Sequence, residues 1–280
     1  MAATQLKPCL RVNRKGPYIG LITVFVTEKD AFFASGSFKP DPKFPFIDLS
    51  GRGFRFGVVR GRKVVYVRCG EVAATQQMVD LFDIKGIIHF GIAGNTNNSM
   101  SIGDVTIPNQ IAHTGLWEWL NTNGTLDSAD VAQLEIGDNI VPKGNGTNLL
   151  VAGEPNVAES LLWANISLQW LQLSSNLEGM KLEQCVNSSL CLTEKPKLVV
   201  GLRASTSNIF LDNAAYRDFL FQKFGTSLSN GYPVIVIRGL SDLAGNQEGD
   251  NVVSKFGGLA IVNSVKAVLG FIRNLPPIAC

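Results

Sequence analysis

The segment Pro233-Val234-Ile235-Val236-Ile237-Arg238-Gly239-Leu240-Ser241-Asp242-Leu243-Ala244-Gly245 is an apolar run that ends in a carboxylate set among small residues. A strand apolar on both faces belongs inside a parallel sheet covered by helices. Small molecules bind such sheets beyond the carboxyl ends of the strands. Asp242 is therefore expected where one acid, partly screened from water, can hold or deliver a proton. A second segment, Ile87-Ile88-His89-Phe90-Gly91-Ile92-Ala93-Gly94-Asn95, reads as a buried strand that breaks into glycines and is followed by Ser101-Ile102-Gly103-Asp104-Val105. Glycines at a strand end let the backbone approach a flat ligand, and equally they make ordinary turns. In a third, Asn208-Ile209-Phe210-Leu211-Asp212-Asn213, an aromatic ring precedes a helix start capped by Asp or Asn. Phe210 is there either as a stacking surface for a heterocycle or as a core side chain.

The elements that must position these groups alternate along the chain. Strand signals fall at Ile19 to Val26, Phe54 to Val59, Val64 to Val67, Gly86 to Ala93, Leu198 to Leu202 and Tyr232 to Ile237. Helical patterns fit Val72 to Phe82, Val157 to Leu173, Asp212 to Phe224 and Val252 to Ile272, the last weakened by Gly257-Gly258. This alternation predicts an α/β domain with a mainly parallel sheet and helices on both faces. A polar, Gly-rich stretch from Asn121 to Pro155 reads as loops with short antiparallel strands.

A chain of 280 residues, 45% of them hydrophobic, has enough material for one large core. Its 25 basic and 23 acidic side chains leave a net charge of +2, too small an excess to grip nucleic acid or an anionic membrane. No unbroken apolar run approaches the roughly 20 residues of a membrane span, and Met1 to Gly16 lacks the apolar centre of a secretory leader. A cytoplasmic location is expected for the chain as written, and a vacuolar or secretory one if a leader has been removed. Cys185 and Cys191 are spaced to close a small loop or to stay reduced, and Asn97, Asn123, Asn145, Asn165 and Asn187 each head an Asn-x-Ser/Thr acceptor. The five cysteines are scattered, and neither His89 nor His113 lies near that pair, so no metal site is expected.

Gly91-Ile92-Ala93-Gly94 with Ile102-Gly103-Asp104-Val105, then Arg238-Gly239-Leu240-Ser241-Asp242, resembles the nucleoside phosphorylase and methylthioadenosine nucleosidase superfamily. His89 to Asn95, Ala112-His113-Thr114-Gly115, Phe210 to Arg217 and Ser227 to Gly231 are similar to its plant branch, the bark and vegetative storage proteins. The resemblance runs from about Gly16 to the C-terminus, leaving 1–15 as an N-terminal tail and 16–280 as one phosphorylase-like domain. It implies a single-domain three-layer α/β/α fold with a mixed, mostly parallel central sheet.

It also implies cleavage of a purine nucleoside, of the adenosine or cytokinin-riboside type, at its N-glycosidic bond, by phosphate or by water, in a homo-oligomer and without a cofactor. The alternatives are a storage protein that keeps the fold without the activity, or a repurposed pocket acting on another plant metabolite. The acid matching Asp242 would serve the purine's imidazole nitrogen. Ala93, Gly94, Asn95, His113, Asn208 and Phe210 would line the substrate pocket. Glu28, in Val26-Thr27-Glu28-Lys29, falls near the family's glutamate that orients the ribose or the attacking water; as a residue it is equally a solvated loop carboxylate paired with Lys29. Two departures bear on this expectation. The family's ribose-holding glutamate has no counterpart, since no glutamate occurs between Glu194 and Glu248. The turn Val67 to Thr75 is short and puts Glu71 at the expected helix N-terminus, which suits the helix dipole but repels inorganic phosphate as a co-substrate.

Overall fold

Period-two burial on both faces builds the centre of the molecule. In the computed structural model, which describes residues 3–69, 73–114, 117–119, 131–133, 164–207, 211, 233–245 and 253–277, strand β1 (Tyr18–Thr23) is buried at every position. Its Ile19 and Leu21 join one apolar cluster, and its Tyr18 and Ile22 join a second on the other side of the sheet. The remaining strands of the main sheet are β2 (Phe38–Pro40), β3 (Phe46–Leu49), β4 (Arg52–Val59), β5 (Arg62–Arg68), β6 (Ile84–Asn95), β7 (Val105–Ile107), β8 (Leu198–Val200) and β9 (Val234–Leu243). They run in the order β8-β7-β9-β6-β1-β5-β4-β2, with β3 paired to β4. The central strands β9, β6, β1 and β5 are mutually parallel, whereas β4 joins β5, and β7 joins β9, antiparallel.

Helices cover both faces. On the first lie α2 (Val26–Ala34), the short α4 (Leu168–Ser174) and α5 (Val253–Asn274), whose Phe32, Trp170, Ile261, Val268 and Phe271 pack in the first cluster. On the second lie α1 (Ala3–Asn13) and α3 (Ala73–Leu81), contributing Cys9, Val12, Ala74 and Met78. By length and hydropathy α5 suffices to cross a bilayer, but 67% of its apolar window is buried here, and the helix packs against β9 and β6. It approaches β9 so closely that any Cβ at Gly239 would collide with the Ala260 carbonyl. Gly257 and Gly258 do not interrupt it, because tertiary packing outweighs their weak propensity.

Several expectations are corrected. The strand expected through Val26 ends at Thr23, and Val26 begins α2. The helix expected over Val157 to Leu173 is helical only from Leu168: Ala164 and Asn165 pair with Ile111 and Gln110, and the Ser167 hydroxyl accepts the Trp170 N–H at the helix start. Residues 3–13 of the stretch read as a tail form a helix. In the polar middle, Val131–Gln133 pairs antiparallel with Trp117–Trp119, which precedes that stretch; its other residues lie outside the described residues, as does the helix expected over Asp212 to Phe224.

Cys185 and Cys191 form a disulfide across a small hairpin. Closing a loop this short constrains the unfolded chain by about 2 kcal/mol. Replacing both cysteines by serine is expected to lower stability by that amount, seen as a fall in denaturation midpoint that reducing agent reproduces in the parent but not in the variant.

Candidate active site

The two acids singled out from the sequence meet at the carboxyl end of β6. Asp242 is 4% exposed and lies on β9, where a register irregularity between Leu240 and Asp242 sets Leu240 opposite Ala93 and Asp242 opposite Gly94. The Ser241 hydroxyl lies 2.5 Å from Asp242 Oδ1 and 3.2 Å from the Ala93 carbonyl, tying the acid to the β6 backbone. Gly94 itself is exposed, so the backbone beside the acid is open to a ligand.

Glu28 is 1% exposed, so it is not a solvated loop carboxylate. The ion pair of Lys29 is with its neighbour Asp30 instead. At the third position of α2, Glu28 reaches back so that Oε2 accepts the N–H groups of Val24 (2.8 Å) and Phe25 (2.9 Å), which ends the strand and starts the helix. Its Oε1 accepts the N–H of Ile92 at 2.9 Å, from the β6 bend that also carries Ala93 and Gly94. A carboxylate has about four acceptor directions. Three are taken, and the one left is on Oε1. Ile92 and Gly94 are two residues apart, so the backbone points that hold Glu28 and face Asp242 are separated by roughly 7 Å of strand.

Gly91 makes this approach possible. Its φ is +155°, a conformation that side chains disfavour, and a Cβ there would overlap the Glu28 carboxylate.

A partly buried cation completes the cluster. Arg238 Nη2 lies 3.0 and 3.2 Å from the two ring nitrogens of His89, and the charge of Glu28 supports the guanidinium against the burial that pulls its pKa down. The sequence reading assigned no cation here. The available signal was a lone arginine inside an apolar strand, two positions after Val236, which pairs with His89. Burial, with the Arg238 charge added, holds the His89 imidazole well below its usual 6.5. The unfolded chain therefore takes up a proton near pH 6.5 that the native state refuses, so stability falls as pH drops below that value. His89→Gln is expected to flatten this slope relative to the parent when urea midpoints are compared from pH 8 to pH 5.

The other expected residues divide. Asn95 is buried, with Nδ2 donating to the Met100 carbonyl and Oδ1 accepting the Asn97 N–H, so it holds the turn after β6. Asp104 likewise anchors backbone: it accepts the N–H groups of Ser101 and Lys197, and burial raises its pKa. His113 ends the strand Gln110–His113, pairing with Thr206 in a separate three-stranded sheet. The His113 side chain, Asn208, Phe210 and Glu71 lie outside the described residues.

A family model described as the phosphorylase superfamily matches residues 18–273. The chain belongs to that superfamily. Bark storage protein A of Populus deltoides is 31% identical across 99% of this chain and 96% of its own length, and bark storage protein B of the same tree is 31% identical across 95% and 92%. Among solved structures, futalosine hydrolase of Helicobacter pylori superimposes with a TM-score of 0.61 at 15% identity over 94% of this chain and all of its own. The 5'-methylthioadenosine/S-adenosylhomocysteine nucleosidase of S. pneumoniae, solved with a transition-state inhibitor, gives 0.62 at 18% identity, over 93% and 100%. The fold and the plant storage-protein branch are therefore as the sequence motifs imply.

Proposed function

We propose that this superfamily member hydrolyses the N-glycosidic bond of a purine nucleoside of the adenosine or cytokinin-riboside type, releasing free base and ribose. The observation that carries the reading is the pair of buried carboxylates, Asp242 and Glu28, held on either side of the same β6 bend. In the reaction the C1'–N9 bond breaks as the sugar becomes cationic. Asp242 gives the purine's imidazole nitrogen a proton, so the base leaves neutral, and exchange with solvent restores the acid after release. Water adds to C1', and its proton passes to the acceptor direction left on Glu28 Oε1. Water suits this site better than phosphate, because Glu28 places a carboxylate where the anion would sit and its charge already supports the Arg238 guanidinium.

The names of the two poplar relatives favour a second reading, a storage protein that keeps the fold without the reaction. Chromatography of adenosine, methylthioadenosine and a cytokinin riboside incubated with the protein separates the two. Free base is expected; its absence even at enzyme concentrations comparable with substrate leaves the storage role.

A further inference from the structure

A second pocket of about 470 Å³ opens where the start of β4, the end of β5 and α2 meet, and it is walled by Lys29, Arg52, Arg55 and Arg68 together with Phe46 and Tyr66. Among the described residues four cations converge on it and no carboxylate lines it. Three acids among the described residues stand close by, each already engaged: Asp30 pairs with Lys29 at 3.0 Å, Asp48 Oδ1 accepts the Gly51 N–H at 3.0 Å, and Glu28, whose charge reaches Tyr66, accepts the N–H groups of Val24, Phe25 and Ile92. Among the described residues none of the three arginines is held by a carboxylate.

Arg55 is set in place by something other than charge. Its guanidinium lies 5.5 Å from the Phe33 ring centre and 5.6 Å from that of Phe46, so two aromatic rings hold the plane while leaving its N–H groups without a protein acceptor. Tyr66 forms the floor, with its hydroxyl 2.6 Å from the Thr23 hydroxyl.

We propose that this pocket binds an oligophosphate group, either free or as the tail of a nucleotide. Like charges are gathered here at an electrostatic cost that a multiply charged anion relieves, and guanidinium forks match pairs of phosphate oxygens. A chain of two or three phosphates offers more charge and more oxygens than a single one to cations carried by α2, β4 and β5. The volume lies within the range of small-molecule sites. The pocket borders the Glu28 side of the candidate active site, since the Glu28 charge reaches Tyr66, but neither Glu28 nor Asp242 is among its described walls, so anion binding here does not depend on the nucleosidase reading.

Calorimetric titration of the full chain at physiological salt with sodium tripolyphosphate, orthophosphate and ATP tests it. Saturable binding is expected, with tripolyphosphate at least tenfold tighter than orthophosphate. Arg55→Gln and Arg68→Gln are each expected to weaken it about tenfold, the factor for one charge-assisted contact. Asp242→Asn and the exposed Lys195→Gln leave it unchanged. ATP binding as tightly as tripolyphosphate assigns the site to nucleotide tails, and weaker ATP binding assigns it to free oligophosphate. If Arg55→Gln does not fold, the double variant Arg52→Gln/Arg68→Gln, which loses no aromatic stacking, carries the same expectation. No saturation at millimolar tripolyphosphate, or equal weakening by Lys195→Gln, overturns the proposal.

Discussion

Asp242→Asn is expected to lower the rate of the proposed base release by roughly 10²–10⁴-fold, the range for loss of a positioned acid. The substitution is nearly isosteric, and an amide still accepts a hydrogen bond from the Ser241 hydroxyl through its oxygen. Folding is therefore expected to survive, and a circular dichroism spectrum and melt like those of the parent establish this before kinetics are compared. An amide nitrogen donates to the purine but cannot hand over a proton, so the loss falls on kcat more than on KM. A substrate whose base leaves without protonation discriminates further: with a nitrophenyl riboside the Asn variant approaches the parent rate. Equal slowing of both substrates would mean that Asp242 holds the site together instead of serving the leaving group, and unchanged purine release would remove the acid from the mechanism.

What the sequence disclosed and what it hid follow from the same physics. Asp242 was legible because a strand buried on both faces that ends in a carboxylate has few positions in a parallel sheet. Glu28 was half legible. The apolar run Ile19 to Val26 reads as one strand, and only the Glu28 side chain, by taking the Val24 and Phe25 N–H groups, turns it into a helix after Thr23. Hydrophobicity carries no trace of that switch. His89 and Arg238 are far apart in the chain and meet through the β6–β9 register, which a pattern of single residues does not encode. The helix Ala3–Asn13 went unread because it contains Pro8 and is polar on average, although its periodic pattern buries Cys9 and Val12 in the fold. The aromatic partner expected at Phe210 lies outside the described residues, whereas Ala93, Gly94 and Asn95 of the expected lining are described.

Gly91→Ala is expected to be the most damaging small substitution near the site, costing more than about 3 kcal/mol. Two separate penalties add. The residue has φ +155°, a backbone state in which alanine is strained whatever surrounds it, and the new methyl would occupy the place of Glu28 Oε1. Relief requires Glu28 to withdraw, which breaks its bond to the Ile92 N–H and leaves a buried carboxylate short of a partner. A double-mutant cycle separates the two terms. Glu28→Ala removes the collision but not the backbone strain, so Gly91→Ala is expected to cost measurably less in the Glu28→Ala background than in the parent. Urea denaturation of the four proteins reads this directly. Strict additivity would mean that Glu28 does not sit against Gly91, and the geometry that brings the two carboxylates to one bend would then be wrong. Activity offers an independent reading, because displacing Glu28 while leaving Asp242 untouched should slow hydrolysis of purine and nitrophenyl ribosides alike, the opposite of the selective loss expected for Asp242→Asn.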